Sequence, residues 1–362
     1  MSDPEDTPTG ERPADEPAPQ MLLDLLTARG PSGYESAPAE VWRAAAGAFA
    51  RVSSDVVGTP LALVEPKHGY EHDAKRLLVM GHIDDDGYLW FRGVGGWDAQ
   101  ILVGQRVVLD TRAGAIVGVV GKKPIHLLRE EERKKVADIR DLHIDIGARD
   151  GAQAREMVRV GDVAVIDAAP VALPNGRLAA RALDNRLGSF VALEAARLIA
   201  EAGGAQWEIA AVAAVQEETT FGGSRTSAFA LKPDAAIVID VTHATDAPGI
   251  DVKEAGKHEL GSGPVISRGS NLSAGLFELL YDTAEAEKIP FTVEASARAT
   301  GTDADAVHIS RGGVPTGLVS IPIRYMHSPV ELVQLEDVHA CARLIAATAL
   351  RLAPDSAFAA QG

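Results

Sequence analysis

The sequence predicts an α/β protein with a small, mainly β domain inserted into it. Short apolar runs alternate with amphipathic helical segments on both sides of residues 89–169. Between them lie short β-like runs broken by Gly, Asp and Pro, so the two flanks read as one discontinuous domain. Several of the flanking apolar runs end in histidine or carboxylate residues, which is where open α/β sheets gather their functional side chains.

The elements follow in chain order. Residues 1–18 are expected to be a disordered tail: the first 20 positions carry five prolines and six acids against one arginine, too little apolar surface to offset the entropy of ordering. A helix is predicted over Pro19 to Arg29, stopped by the turn cluster Gly30-Pro31-Ser32-Gly33, and a second over Ala37 to Ala50. Strands at Ser54 to Val57 and Leu61 to Glu65 lead to the apolar run Leu77-Leu78-Val79-Met80, completing a first segment of the main domain at 19–88. Within 89–169 the expected strands are Ile101 to Val103, Arg106 to Leu109, Ala115 to Val120 and Val163 to Ile166, interrupted by a charged helix at Leu128 to Arg140. The second segment of the main domain, 170–355, brings the helix Leu187 to Ala202, strands Trp207 to Val215 and Ala235 to Asp240, and the helix Ala274 to Lys288. Strands Phe291 to Glu294 and Thr316 to Ile321 and the helix Glu336 to Leu352 close it.

Composition narrows the function. The 362-residue chain can bury a large core, drawn mostly from aliphatic side chains because aromatic residues are 5% of the total. A net charge of −16 opposes binding to nucleic acid or an anionic membrane. The single cysteine, Cys341, excludes an intramolecular disulfide and reads as a buried structural thiol. No apolar stretch is long enough to span a bilayer, and the acidic start is unlike a signal peptide, so the expected location is the cytoplasm.

Hydrolysis of an amide needs a strong nucleophile and relief of charge on the oxyanion, both of which a pair of divalent cations supplies. Three ligands per ion with one carboxylate shared makes five in all. The chain offers five at strand ends and before a helix: His82, Asp184, Glu218, Asp240 and His327. Asp84 stands two residues after His82, so in an extended segment both face one way and the carboxylate can orient the imidazole. Glu217 and Glu218 are adjacent and divide the work, Glu218 as ligand and Glu217 as general base toward the water. Spacing leaves Asp184 open between helix cap and bridging ligand, leaves Asp246 as a competitor of Asp240, and allows His327 a purely structural role.

In order along the chain, the motifs are Gly81-His82-Ile83-Asp84, Asp145-Ile146-Gly147-Ala148, Gly161-Asp162, Ala182-Leu183-Asp184-Asn185-Arg186, Gln216-Glu217-Glu218, Asp240-Val241-Thr242, Gly301-Thr302-Asp303-Ala304 and Ile321-Pro322-Ile323-Arg324-Tyr325-Met326-His327-Ser328-Pro329. Together they resemble the co-catalytic metallo-aminopeptidases that include glutamyl, deblocking and tetrahedral (TET) aminopeptidases, some of which carry the label endoglucanase. The resemblance covers nearly everything after residue 19. It implies a three-layer α/β/α aminopeptidase domain of the phosphorylase/hydrolase-like kind, with a small β-rich insert, PDZ-like or barrel, that serves dimerisation. It implies two divalent ions, zinc foremost with cobalt or manganese as options, one on His82, Asp184 and Asp240 and the other on Asp184, Glu218 and His327. Asp184 would then bridge, Glu217 would activate a metal-bridging water, Asp84 would orient His82, and Thr302 and Asp303 would contact the substrate. The implied substrate is a peptide with a free N-terminus, and the implied assembly a homo-oligomer from dimer to dodecamer. A related amidohydrolase or carboxypeptidase, or a glycan hydrolase, is the alternative reading. The chain departs from the pattern at Thr219-Thr220-Phe221-Gly222-Gly223-Ser224, where the family usually has a Val-Gly pair and then an arginine at the position of Gly222. Asp85 likewise replaces a common glutamate.

Overall fold

The computed structural model describes residues 17–68, 75–83 and 98–358; the expected tail up to residue 16 and the expected orienting residue Asp84 lie outside them. Among the described residues, four parallel strands stand at the centre of an 11-stranded sheet, in the spatial order Glu208–Ala214, Arg76–His82, Ala235–His243 and Thr316–Arg324. These strands are almost wholly buried, which is why they read as continuous apolar runs rather than alternating ones. Successive side chains point to opposite faces and so feed two cores. Leu77, Val79, Ile209, Ala211, Ile237 and Ile239 join the cluster with helices Leu183–Glu201 and Leu335–Leu350. Leu78, Met80, Ala210, Val212, Ala236 and Val238 pack with helix Gly222–Leu231 and the single turn Ala304–Val307 on the other side. The result is a three-layer α/β/α arrangement.

Antiparallel strands extend the sheet. Pro60–Val64 and Arg51–Ser54 flank Glu208–Ala214, while Glu331–Gln334, Arg177–Ala180 and Val171–Leu173 continue from Thr316–Arg324. A separate four-stranded antiparallel sheet, formed by Leu142–Asp145, Gly114–Lys122, Arg106–Thr111 and Val163–Ile166, has its own small core around Leu102, Val107, Leu109, Val120, Leu142 and Ile166.

Strand order creates the opening. From Arg76–His82 the chain passes to Glu208–Ala214 on one side and then to Ala235–His243 on the other, a reversal of direction that leaves a crevice beyond the carboxyl ends. The ladder between Arg76–His82 and Ala235–His243 ends at the pair Met80 and Val238, whereas Ala235–His243 stays paired to Thr316–Arg324 out to His243. Asp240 therefore lies within a strand and faces the gap, not at a strand end as expected.

Other expectations also change. The helix expected at Leu128 to Arg140 is reduced to the turns Glu130–Arg133 and Ile139–Asp141, because the segment is largely exposed (Val136 is 68% accessible) and packs only Ala137 and Ile139 against the small core. The expected strand Ile101 to Val103 is instead part of a helical turn, Ala99–Leu102, started by the Asp98 carboxylate accepting the Gln100 N–H. The expected strand Ser54 to Val57 stops at Ser54, since Asp55 accepts the N–H groups of Val57 and Thr59 and turns the chain. Cys341 is buried and free. Among the described residues no helix is long and apolar enough to cross a membrane.

Candidate metal centre

Each central strand delivers one piece of the site to the crevice. His82 is the last residue of its strand and is paired with Ala214 across the ladder. Its Nε2 lies 3.4 Å from Asp184 Oδ1, 3.6 Å from Glu217 Oε2 and 3.9 Å from Asp240 Oδ1. His327, three residues beyond Thr316–Arg324, brings its Nε2 to 3.1 Å from the other oxygen of Asp184, Oδ2. Ligand atoms of His82, Asp184 and Asp240 fall within 4.8 Å of one another, and so do those of Asp184, Glu218 and His327. A further grouping of His82, Glu217 and Glu218 meets the same limit, so Glu217 sits against the centre as closely as the expected ligands do. The sequence-predicted ligands thus come together around Asp184, whose two oxygens face different histidines.

The backbone there is unusual in ways the sequence does not announce. The Glu217-Glu218 pair is not on an extended strand end: Gln216 adopts a left-handed conformation (φ 59°) and Glu217 opens a helical turn. Glu35, itself buried, accepts the Gln216 N–H at 2.9 Å and the Gly33 N–H at 2.6 Å, tying the amino-terminal loop to that turn. Tyr325 and His327 are also left-handed, with φ of 61° and 59°. Asn185 fills the gap between separating strands, donating from Nδ2 to Ile239 O at 2.8 Å and accepting the Gly188 N–H at 2.8 Å. The Arg186 guanidinium, fully buried, donates to the carbonyls of Leu25, Ala28, Gly30 and Ile83, so it anchors the first helix to the loop after His82. Asp246 pairs with Arg324 through Nε at 3.0 Å, and is thereby engaged away from the histidines.

Glu35, Asn185 and Glu331 were missed by sequence reading. Glu331 accepts the backbone N–H of Asp184 at 3.1 Å and of His327 at 2.8 Å. A carboxylate opening the apolar run Leu332-Val333, four residues after His327, was a signal for it. Nothing comparable marked Glu35.

The electrostatics call for cations. Burial pushes the Glu217 carboxyl up to about 10, with nearby His82 opposing and Asp240, Asp303 and Glu218 adding to the rise. Burial likewise holds Asp240 well above the ordinary carboxylate range, against the pull of His82 and with the charge of Asp184 adding to it. Asp184 behaves oppositely: its burial is outweighed by hydrogen bonds and charge from His327 and His82, which hold it well below its usual value. Carboxylates converging in a buried pocket are costly unless positive charge compensates them, and imidazole nitrogens mixed with carboxylate oxygens suit divalent cations. The donor set therefore fits divalent cations.

Asp303 is buried and close enough for its charge to act on Glu217 and Asp240. Thr302 uses its hydroxyl inside its own loop, 2.9 Å from Thr300 Oγ1 and 3.2 Å from the Ala304 N–H. At Gly222 a β-carbon would stand 2.5 Å from Gln216 Oε1, so the Gln216 side chain holds the space that a larger residue would need.

Residues 77–344 match the family model of the M42 glutamyl aminopeptidases. The chain belongs to that family. It is accordingly a peptide hydrolase of the aminopeptidase kind. It is 38% identical over 287 residues to the lysyl aminopeptidase of Pyrococcus furiosus, covering 78% of this chain and 81% of the relative. Its fold is similar to a TET aminopeptidase from a marine-sediment Thaumarchaeota archaeon, with a TM-score of 0.86, 33% identity and coverage of 92% and 96% of the two chains. It also resembles the TET1 peptidase of Pyrococcus horikoshii, a protein that can assemble into a tetrahedron or a large octahedral shell; the TM-score is 0.79 at 30% identity, covering 92% of this chain and 99% of the other.

Proposed function

We propose that this protein is a dinuclear metal-dependent aminopeptidase that removes the N-terminal residue of peptides. The observation that carries this reading is Asp184, each of whose oxygens faces a different histidine at 3.1–3.4 Å while Asp240 and Glu218 close the two sides. In this reading His82, Asp184 and Asp240 hold one ion and Asp184, Glu218 and His327 the other, with zinc, cobalt or manganese all suited to the donors. Bound there, the ions would lower the pKa of a water and polarise the scissile carbonyl. Glu217 accepts a proton from the attacking water at its Oε2, on the His82 side of the pocket, and passes it to the leaving amine. Asp184 and Asp240 carry no proton in this cycle; they fix the geometry. Asp303 adds negative charge that favours a substrate ammonium, and Thr302 shapes the loop presenting it.

Assembly belongs to the same proposal. Val117 and Val119 on strand Gly114–Lys122 are 61% and 46% exposed, and Leu127 in the turn that follows it 67%, exposed apolar side chains that suit the four-stranded sheet as the dimerisation unit of a homo-oligomer.

The deciding experiment compares leucine p-nitroanilide with its N-acetylated form, using protein reconstituted with zinc, cobalt or manganese. Cleavage of the free-amine substrate alone is expected; equal cleavage of both would remove the aminopeptidase reading in favour of a broader amidohydrolase.

A further inference from the structure

The two oxygens of Glu331 do separate jobs. Oε2 accepts the backbone N–H of Asp184 at 3.1 Å, and Oε1 accepts the backbone N–H of His327 at 2.8 Å. The side chain is 2% exposed. It begins the short strand Glu331–Gln334, which is paired on one side with Arg177–Ala180, the strand leading into Asp184, and on the other with Thr316–Arg324, the strand leading into His327. Glu331 itself stands opposite Ala180, where the ladder ends and the Asp184 loop begins. Tyr325 and His327 both take left-handed backbone conformations, so the ladder alone does not dictate where the imidazole points. A single buried carboxylate, 147 positions from Asp184 in sequence, thus forms a strut between the loops of a shared ligand and a histidine.

A purely structural part is a poor account of this choice. A buried carboxylate beside the negatively charged Asp184 carries a desolvation cost and a like-charge cost, which the charge of the buried Arg181 offsets in part. A carboxylate is, however, the side chain whose two oxygens both accept only, so it can hold two N–H donors at once.

We propose that Glu331 is a positioning residue for the metal centre, holding Asp184 and His327 at the separation that the ion on Asp184, Glu218 and His327 requires. The inference rests on the dinuclear reading given above. The His82 and Asp240 side is also held by other means, the ladder and the Asn185 bridge to Ile239, so the loss of Glu331 falls mainly on the ion that also needs His327.

Glu331→Gln tests it. The amide is the same size but puts an NH2 against one of the two N–H donors, so one arm of the strut is lost. Metal-free wild type and variant are titrated with zinc by calorimetry, and cobalt-loaded proteins are compared by visible absorption. The wild type is expected to bind two ions per chain. In the variant one affinity should fall by about 10- to 100-fold, the scale of lost support behind a ligand, while the other, which shares only Asp184 with it, falls distinctly less. The cobalt spectrum of the weakened site should change, and kcat should fall more than KM rises. Two wild-type affinities and a wild-type spectrum would overturn the proposal; so would an equal fall in both affinities, the mark of general destabilisation. If wild type itself binds one ion, the dinuclear reading fails first and the strut with it. Should Glu331→Gln not fold, Glu331→Asp is read on the same assays, since the shortened carboxylate reaches one N–H at a time.

Discussion

Glu217 and Glu218 are neighbours of identical chemistry that occupy different surroundings. Glu217 is buried and crowded by Asp240 and Asp303, so it holds its proton to about 10 until positive charge arrives. Glu218, partly exposed, completes the group on the His327 side. Cations in the site would release the Glu217 proton and leave a base poised over the water. Glu217→Gln is therefore expected to keep two ions per chain and lose about 10²- to 10⁴-fold in kcat, checked by metal content and p-nitroanilide turnover; undiminished turnover would remove the base from its role. Asp184→Ala should weaken both ions together in a zinc titration, and loss of one alone would show that the two oxygens do not serve two metals. Residue identities at these places were legible from their positions after apolar runs. Glu35, Asn185 and Glu331 were not, because each acts through backbone groups that only a folded chain brings near.

At the level of elements, two close packing contacts meet at one corner of the crevice that strand order opens. Strand Arg76–His82 approaches helix Leu183–Glu201 so closely that a β-carbon on Gly81 would lie 2.2 Å from the carbonyl carbon of Gly188. Gly188 in turn leaves no room for a β-carbon beside the Asn185 side chain, at 2.4 Å. Glycine at both positions lets the helix start run directly under His82, which places Asp184 against the imidazole. Gly81→Ala should force the strand and helix apart, costing about 1–3 kcal/mol in urea unfolding and lowering metal affinity as His82 moves from Asp184. An unchanged midpoint and unchanged zinc binding would show that the contact yields easily. Strands and helices with strong apolar patterns were readable in advance to within a few residues. Exposed segments such as Leu128 to Arg140 were not, since too few of their residues reach a core; the short strands Arg177–Ala180 and Glu331–Gln334 were too brief to leave a period.

Across the whole molecule, the buried acids make metal-free stability depend on pH. Glu217 binds its proton more tightly when folded, up to about 10 against an ordinary 4.5, through burial first and then its neighbours. The unfolded chain therefore ionises first, and this contribution to stability, complete below about pH 4.5, drains away as pH rises toward 10. Burial raises Asp337 to about 7 despite N–H donors from Gly261 and Gly263, so its contribution is lost lower, between 3.8 and about 7. Chelator-treated protein is expected to melt at a lower temperature at pH 9 than at pH 6, and added zinc should erase most of that difference by replacing protons in the pocket. A metal-free melting temperature that rises with pH would contradict the described burial of these acids. By itself the sequence determined the class of the protein, because apolar periodicity and the chemistry of His82, Asp184, Glu217, Glu218, Asp240 and His327 are local properties of the chain. The tertiary structure alone decided which oxygen of Asp184 meets which histidine, that Asp240 faces a gap within a strand, and that Glu331 spans two loops. Those are relations between segments distant in sequence, set by strand order and close packing, and no local pattern encodes them.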